Sequence, residues 1–229
     1  MDLGLLKELQ QARTQKRQVV LATNLTTGDE QLLYPFDTDD SSELLVGARN
    51  ALISDKASNL ETEDGPVFLN IFNPRLRLFI VGAVHITQHL VPMAAGAGYE
   101  VTVIDPRRSF GSDFRFPDVT LDNRWPDEAF VDLQADRRSA IVTLTHDSKL
   151  DDPALVYALG SEAFYIGALG STRTNGKRQL RLEKKGFKAE DISRIHGPIG
   201  LDIGAKSPAE IAISIMAQMT AVLRQKAVQ

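Results

Sequence analysis

The chain has 229 residues, of which 43% are hydrophobic and 24% charged, and this composition is typical of a globular protein with a buried core. It excludes a chain that is disordered or coiled-coil throughout. The formal net charge of -4 argues against general attraction to nucleic acid, which needs clustered Lys and Arg. The lack of cysteine excludes disulfides, thiolate metal ligands and cysteine nucleophiles within these residues.

The opening segment, MDLGLLKELQQARTQKRQ, predicts an amphipathic helix. It contains acids and amides instead of the apolar core and small-residue cleavage site of a secretory signal. No apolar run in the sequence approaches the ~20 residues that cross a bilayer. We therefore expect a cytoplasmic protein that has neither a membrane nor a nucleic acid as its partner.

Brief apolar runs follow this helix: RQVVLAT, EQLLYP and GPVFLNIF, separated by the turn-rich segments NLTTGDE and KASNLETEDG. Such runs predict a small antiparallel lobe. A domain boundary is expected near Asn73-Pro74, because proline restricts the residue before it to extended geometry and the sequence pattern changes there. The predicted domains are a small N-terminal α+β lobe, residues 1–73, and a larger domain, residues 74–229.

In the larger domain strands alternate with helices. Buried strands are predicted at Leu76–Val81, Glu100–Ile104, Ala140–Thr145 and Ala163–Ile166. Helices are predicted at Ile86–Ala97, Asp127–Leu133 and Pro153–Leu159. This alternation predicts an α/β fold, a Rossmann-like parallel sheet with helices on both faces and right-handed crossovers.

Two helix starts have recognisable capping residues. In DDPALVYALG, Asp152 is predicted to cap the helix, Pro153 to lie in its first turn and Gly160 to form a left-handed exit. In SPAEIAISIMAQMTAVL, Ser207 and Glu210 predict a capping box that opens a long apolar helix.

The turn after the first of these strands, Gly82-Ala83-Val84-His85, keeps only the first glycine of a dinucleotide-binding turn. Val84 is expected to resist the positive φ and the close phosphate approach that such a turn requires, which disfavours ordinary NAD binding. Asp105 ends the next strand at about the spacing at which an acid meets a ribose hydroxyl, ~20 residues on. Two interpretations remain: a structural turn with Asp105 capping a loop, or a site for a nucleotide-like or pterin-like ligand.

His85 and His89 lie four residues apart, a spacing that metal-binding pairs use, but no third ligand is evident nearby and no metal site is predicted. Thr145, His146 and Asp147 follow a buried strand, where α/β sheets place binding groups. Ordinary loop capping is the alternative for this triplet. No nucleophile is evident beside His146, so no catalytic residue is assigned.

Small residues, then basic ones, follow the last predicted strand in YIGALGSTRTNGKRQLR. Gly170, Ser171 and Arg173 at the start of a helix favour an anion such as phosphate, and a solvated basic helix face is the alternative. The glycine-rich segment before the last helix contains Gly200 and Asp202, and it is predicted to form the ligand edge of the cleft.

Five ordered segments resemble the Rossmann domain of the XdhC/CoxI family of xanthine dehydrogenase accessory proteins. They are FIVGAVHITQHLVPMAAGAGYEVTVIDPRRSF, the pair Phe116-Pro117, LTHDSKLDDPAL, YIGALGSTRT and IHGPIGLDIGAKSPAEIAISIMAQ. The resemblance covers roughly Leu76–Gln225. It implies a cytoplasmic, dimeric, noncatalytic chaperone that binds molybdenum cofactor and delivers it to a xanthine or carbon monoxide dehydrogenase-type molybdoenzyme.

The chain departs from the family pattern at two places. Val84 replaces the second glycine of a turn that in the family resembles G-A-G-H, whereas Gly82, Ala83 and His85 match it. The family's amino-terminal G-G-C-type segment is missing, so the N-terminal lobe is truncated relative to the family. Because the chain has no cysteine, the pterin and the phosphate are the groups that it could hold.

The favoured hypothesis is therefore a cofactor-binding accessory protein that holds the pterin phosphate at Gly170–Arg173. The predicted cleft is lined by Gly82–His85, Asp105, Arg107 and Thr145–Asp147. One alternative is an NAD(P)-dependent oxidoreductase, which the βαβ pattern and Asp105 motivate. Another is an interaction module that kept the fold and lost the ligand, which Val84 and the missing cysteine motivate.

Overall fold

The structure, a computed structural model, describes residues 2–117 and 119–224. The chain divides into two compact units, one ending at Pro74 and the other beginning at Arg75. Met1 and Gln225, at the ends of the predicted first helix and of the resembling stretch, lie outside the described residues.

The first unit is a four-stranded antiparallel sheet with two helices. Its elements are α1 (Leu3–Thr14), β1 (Val19–Asn24), β2 (Glu30–Leu33), α2 (Glu43–Ser54), β3 (Ser58–Thr62) and β4 (Gly65–Phe72), with strand order β2-β1-β4-β3. The predicted antiparallel lobe is thus present. Its core joins buried residues of α2, such as Leu52, to Val20 of β1 and Leu69 of β4.

The sequence did not predict α2 and β3. Gly47 interrupts the apolar pattern of α2, but a Cβ at this position would lie 2.8 Å from Cδ2 of Leu60 in β3, so the glycine permits close helix-to-strand packing. The strand β3 falls inside the segment KASNLETEDG, which was interpreted as a turn. Its residues are mostly polar and exposed, because β3 lies at the edge of the sheet.

The second unit is a six-stranded parallel sheet covered by helices. Its elements are β5 (Leu76–Val81), α3 (His85–Gly96), β6 (Tyr99–Ile104), β7 (Thr120–Asp122), α4 (Pro126–Leu133), β8 (Ser139–Thr143), α5 (Ser148–Gly160), β9 (Tyr165–Ala168), α6 (Thr172–Lys184), α7 (Ala189–Ile192), β10 (Ile195–His196) and α8 (Pro208–Leu223). The strand order is β10-β9-β8-β5-β6-β7. The predicted Rossmann-like α/β fold is confirmed.

Alternation along β5 supplies both faces of the sheet. Leu78 and Ile80 pack in a cluster with α3 and α8, whereas Phe79 and Val81 pack in a second cluster with α4, α5 and α6. Side chains of a strand alternate between faces, so a strand buried on both sides reads as a continuous apolar run. The helices therefore cover both faces, as predicted.

The predicted start and end of α5 were wrong. The helix begins at Ser148 after the cap Asp147, so Asp152 and Pro153 lie inside it and not at its start. Gly160 is the last helical residue and has no positive φ, and the extended residue Ser161 ends the helix. The cap residues of α8 are as predicted, with Ser207 and Glu210 forming a capping box.

Candidate functional site

The strand order places a topological switch point between β5 and β8. From β5 the chain crosses to β6 on one side, and the later strands β8 and β9 lie on the other side. Open parallel sheets bind ligands outside the carboxyl ends of the strands at such a point. The loops there are Gly82–Val84, which leads into α3, and the Leu144–Asp147 segment, which leads into α5.

Gly82 brings these two loops into contact. Its φ is +115°, and a Cβ at this position would lie 2.6 Å from Cγ2 of Thr145 and 3.4 Å from the Thr145 backbone nitrogen. Its carbonyl accepts a hydrogen bond from the hydroxyl of Thr87. The backbone freedom of Gly82 is therefore used for packing the protein against itself.

Val84, which was expected to resist a positive φ, does not adopt one. It is the N-cap of α3, with φ -96° and ψ 179°, an extended geometry that valine adopts readily. The positive φ of the turn lies at Gly82 instead. No side chain caps the first turn of α3, which begins at the exposed His85, so its backbone N–H groups are donors that an anion could use.

Asp105 at the end of β6 is buried and bound to the protein's own donors. Its carboxylate accepts hydrogen bonds from the Ala83 N–H (2.8 Å), the Arg107 N–H (3.0 Å) and the Arg107 guanidinium (2.9 and 2.8 Å). Burial raises the pKa of Asp105, but the Arg107 side chain and the two backbone donors outweigh burial and lower this pKa overall. Both carboxylate oxygens are thus committed, so a ribose hydroxyl would have to displace an internal bond.

Arg115, which is not among the predicted site residues, links the loop after β6 to the Gly82–Val84 turn. Its guanidinium donates to the carbonyls of Ala83 (2.9 Å) and Phe110 (2.7 Å) and to Oε1 of Gln88 (3.2 Å). In the same loop, Cζ of Arg107 lies 4.4 Å from the centroid of the Phe110 ring. No sequence motif marks Arg115, because two of its three partners are backbone carbonyls.

Thr145, His146 and Asp147 form the bend between β8 and α5. The Thr145 hydroxyl donates to Oδ1 of the buried Asp151 (2.6 Å) and accepts from the Asp147 N–H (3.0 Å). His146 is exposed and has a positive φ of 65°. The Asp147 carboxylate accepts from the Lys149 N–H (2.9 Å) and caps α5. This carboxylate would repel an anion at the start of α5.

Gly170, Ser171 and Arg173 form the start of α6, next to the bend after β8. Gly170 has a φ of +144°, and a Cβ there would lie 3.0 Å from Cγ2 of Thr174. The Ser171 hydroxyl accepts from the Thr174 N–H (3.2 Å) and caps the helix. Arg173 is exposed in the first turn. This helix start offers N–H donors and a basic side chain without a carboxylate cap.

Gly200 is bound to α8, and not to the loops at the switch point. Its N–H donates to Oε1 of Gln218 (2.9 Å), its carbonyl accepts from the Gln218 amide, and a Cβ would lie 2.2 Å from Oγ of Ser214. Asp202 is exposed. Close packing against the last helix therefore accounts for the glycine at position 200, for which a ligand edge had been predicted.

The first unit contains an open groove of about 950 Å³. Five carboxylate residues contribute to its lining, namely Asp29, Glu30, Glu43, Glu63 and Asp64. Within the described part of the chain, no three His, Cys, Asp or Glu residues are grouped so that they could hold a metal ion. In the same part, no helix has both the length and the apolar character needed to span a membrane.

Comparison with known proteins gives concordant matches. A model of the XdhC Rossmann domain family matches residues 78–219. The uncharacterized protein YqeB of Escherichia coli K12 is 31% identical over 160 residues, 68% of this chain and 29% of YqeB. The molybdenum cofactor insertion chaperone PaoD of the same organism is 30% identical over 151 residues, 66% of this chain and 41% of PaoD.

A probable xanthine dehydrogenase subunit from Bacillus subtilis is 29% identical over 163 residues, 71% of this chain and 47% of that protein. The chain thus matches less than half the length of each of these three relatives. The solved structure of a xanthine dehydrogenase from Bacillus halodurans is similar with a TM-score of 0.66 at 25% identity, over 99% of this chain and 66% of that one. Because the family match covers more than half of the chain, the protein belongs to the XdhC family, and its second unit is the XdhC Rossmann domain.

Proposed function

We propose that this protein binds molybdenum cofactor as cargo and inserts it into a xanthine dehydrogenase-type molybdoenzyme. The similarity to PaoD and to the Bacillus subtilis protein supports this assignment. The observation that carries it is the start of α6, beside the switch point. There Ser171 caps the helix, and the exposed Arg173 lies in the first turn, near its backbone N–H donors. Such a start is suited to the phosphate of the pterin, whereas Asp147 makes the start of α5 unsuitable.

The pterin would lie in the crevice between Gly82–His85 and Thr145–Asp147, with the uncapped first turn of α3 as a second set of donors. Asp105 and Arg107 would act indirectly, because the Asp105 carboxylate accepts a hydrogen bond from the Ala83 N–H and is itself held by the Arg107 guanidinium. With no cysteine among the 229 residues, the chain offers no thiolate to molybdenum. The metal end of the cargo would then stay accessible to the client enzyme.

Cofactor retention is the direct test. The purified chain, alone or coexpressed with a molybdoenzyme, is stripped of free cofactor, and the oxidised pterin is measured by its fluorescence. We expect retention by the wild type and a loss of about tenfold or more in affinity for Arg173→Glu, since a cation at the phosphate is replaced by an anion. Lys184→Glu, at the opposite end of the same helix, is the matched control and should retain the cofactor.

A second experiment addresses insertion. The loaded chain is mixed with a cofactor-free xanthine dehydrogenase-type enzyme, and recovery of that enzyme's activity is followed. If the chain retains no pterin under any of these conditions, yet forms a stable complex with the enzyme in sedimentation experiments, the interaction-module alternative is supported.

Calorimetric titration with NADH and NADPH tests the oxidoreductase alternative. The family resemblance also implies a homodimer, which light scattering of the purified chain tests.

A further inference from the structure

Arg178 of α6 is a charged side chain that lies almost fully buried beneath the start of its own helix, with 2% of its surface exposed. Its Nη2 donates to the Leu169 carbonyl (2.7 Å) and its Nη1 to Oδ1 of Asn175 (3.2 Å), while its Nε has no hydrogen-bond partner. A Cβ on Gly170 would lie 3.7 Å from Nη2. The guanidinium therefore lies directly against the backbone that leads into α6.

The charge of Arg178 is only partly compensated. The carboxylate that faces it belongs to Asp151, which is also 2% exposed, and the distance from Nη2 to Oδ2 is 3.9 Å. A well-paired guanidinium and carboxylate share hydrogen bonds of about 2.7–2.9 Å. Asp151 instead accepts its short hydrogen bond from Thr145. The neighbouring pair, Asp152 with Arg181, is in hydrogen-bond contact at 2.6 Å.

Leaving one buried charge loosely paired is costly, and apolar replacements of buried ion pairs often stabilise a protein. Burial lowers the pKa of Arg178 and raises the pKa of Asp151, so both side chains are disfavoured in their charged forms at this place. A guanidinium keeps its proton at any ordinary pH. Its field is therefore a fixed feature of the site, and it adds to the partial positive charge of the helix start.

We propose that Arg178 supplies a buried positive charge to an oxyanion held at the start of α6, and that Asp151 attenuates this charge. The inference rests on the proposed function, because the oxyanion is the phosphate monoester placed there. Arg178 is a positioning residue in this role, since it reaches the anion only through its field and through the Leu169 carbonyl that it holds. The ligand class is a tetrahedral dianion.

Sulfate is the probe, because it stays a dianion at neutral pH, and its affinity is measured by calorimetry at low salt on the full chain. We expect Arg178→Met to weaken sulfate binding by about tenfold or more, and Arg178→Lys to restore most of the loss. Asp151→Asn keeps the side-chain volume and should tighten sulfate binding by about threefold or more, because it removes the opposing charge. Lys184→Met, which removes an exposed basic side chain from the last turn of α6, is the matched control and should stay within about twofold of the wild type.

Arg178→Met is expected to weaken sulfate binding and Asp151→Asn to tighten it. These opposite effects distinguish an electrostatic role from a merely structural one. Thermal unfolding of each variant is recorded alongside, since both Arg178→Met and Asp151→Asn break the buried pair and should lower stability. If both weaken sulfate binding alike, the inference is overturned. If Arg178→Met does not fold, Arg178→Lys and Asp151→Asn still decide the question through their binding constants.

The same variants are then assayed for retention of molybdenum cofactor, which distinguishes the two proposals. If Arg173→Glu weakens cofactor retention but Arg178→Met leaves it unchanged, this inference is overturned and the proposed function stands. A wild type that binds neither sulfate nor cofactor would overturn both. Parallel losses of sulfate and cofactor in Arg178→Met would support both and identify the cofactor phosphate as the anion.

Discussion

Gly82 is constrained both by its backbone conformation and by its neighbour. Its φ of +115° is strained for a side-chain-bearing residue, and an added Cβ would lie 2.6 Å from the Thr145 methyl group. We expect Gly82→Ala to lower the free energy of unfolding by about 2–4 kcal/mol, from backbone strain and overpacking together. Urea unfolding followed by circular dichroism measures this loss.

The control for Gly82 is Gly96, which lies in the last turn of α3 and has no atom within 4 Å of an added Cβ. Because alanine favours the helix, Gly96→Ala should leave the protein equally stable or more stable by about 0.5–1 kcal/mol. Equal losses in the two variants would mean that the Gly82–Thr145 contact does not constrain the fold.

The lowered pKa of Asp105 makes the free energy of unfolding depend on pH in the acid range. Its pKa is lowered in the folded state from the ordinary value of 3.8, so its contribution is present above that value and is lost as the pH falls through the folded pKa. We expect Asp105→Asn to lower the free energy of unfolding by about 1–3 kcal/mol at neutral pH. The difference in the free energy of unfolding between this variant and the wild type should become smaller as the pH falls below 3.8.

Unfolding curves at a series of pH values measure that difference. Asp202→Asn, an exposed acid of the same unit, should change the free energy of unfolding by less than about 0.5 kcal/mol at every pH. A constant gap between Asp105→Asn and the wild type across the acid range would contradict the linkage.

At the residue scale, the sequence located important positions but not their partners. Gly82 was singled out from the glycine pattern of the turn and Asp105 from its spacing; Gly82 lies at the switch point, and Asp105 accepts a hydrogen bond from the next residue, Ala83. Spacing could not show that Asp105 turns inward to the Ala83 N–H, nor that Val84 stays extended, because both depend on where the backbone of the loops runs. Arg178 was included only as one of several basic residues, since burial cannot be read from a basic run.

At the element scale, Ser42 and Ser207 are both N-cap residues of helices but differ in their side-chain hydrogen bonding. Ser207 of α8 accepts a hydrogen bond from the Glu210 N–H, whereas Ser42 of α2 makes no capping bond. We expect Ser207→Ala to lower the free energy of unfolding by about 1 kcal/mol and Ser42→Ala to change it by only a few tenths. Thermal unfolding of both variants measures the difference, and an equal effect would argue against the capping box.

Strands with a continuous apolar run were predictable, because a strand that is buried on both faces has apolar residues at successive positions. The strand β5 was predicted at its observed bounds, Leu76–Val81. Elements that depend on tertiary context were missed or misplaced. The polar edge strand β3 resembles a turn, Gly47 of α2 is explained only by Leu60, and α5 tolerates Pro153 inside the helix.

At the scale of the whole molecule, each hydrophobic cluster of described residues lies within one unit. The clusters around Leu52 and Leu9 involve only residues before Pro74, and those around Ile80 and Phe130 only residues after it. A core confined to its own unit does not need the other unit for its burial. The proposed cofactor site also draws only on the second unit.

We therefore expect residues 74–229, produced alone, to unfold cooperatively and to bind sulfate with the affinity of the full chain within about twofold. The reason is that the sheet, both of its covering clusters and the start of α6 all lie after Pro74. Calorimetric unfolding and sulfate titration of the fragment, beside the full chain, measure both properties. A fragment that folds but loses sulfate would mean that the N-terminal unit contributes to the site, and a fragment that does not fold would contradict the independence of the two cores.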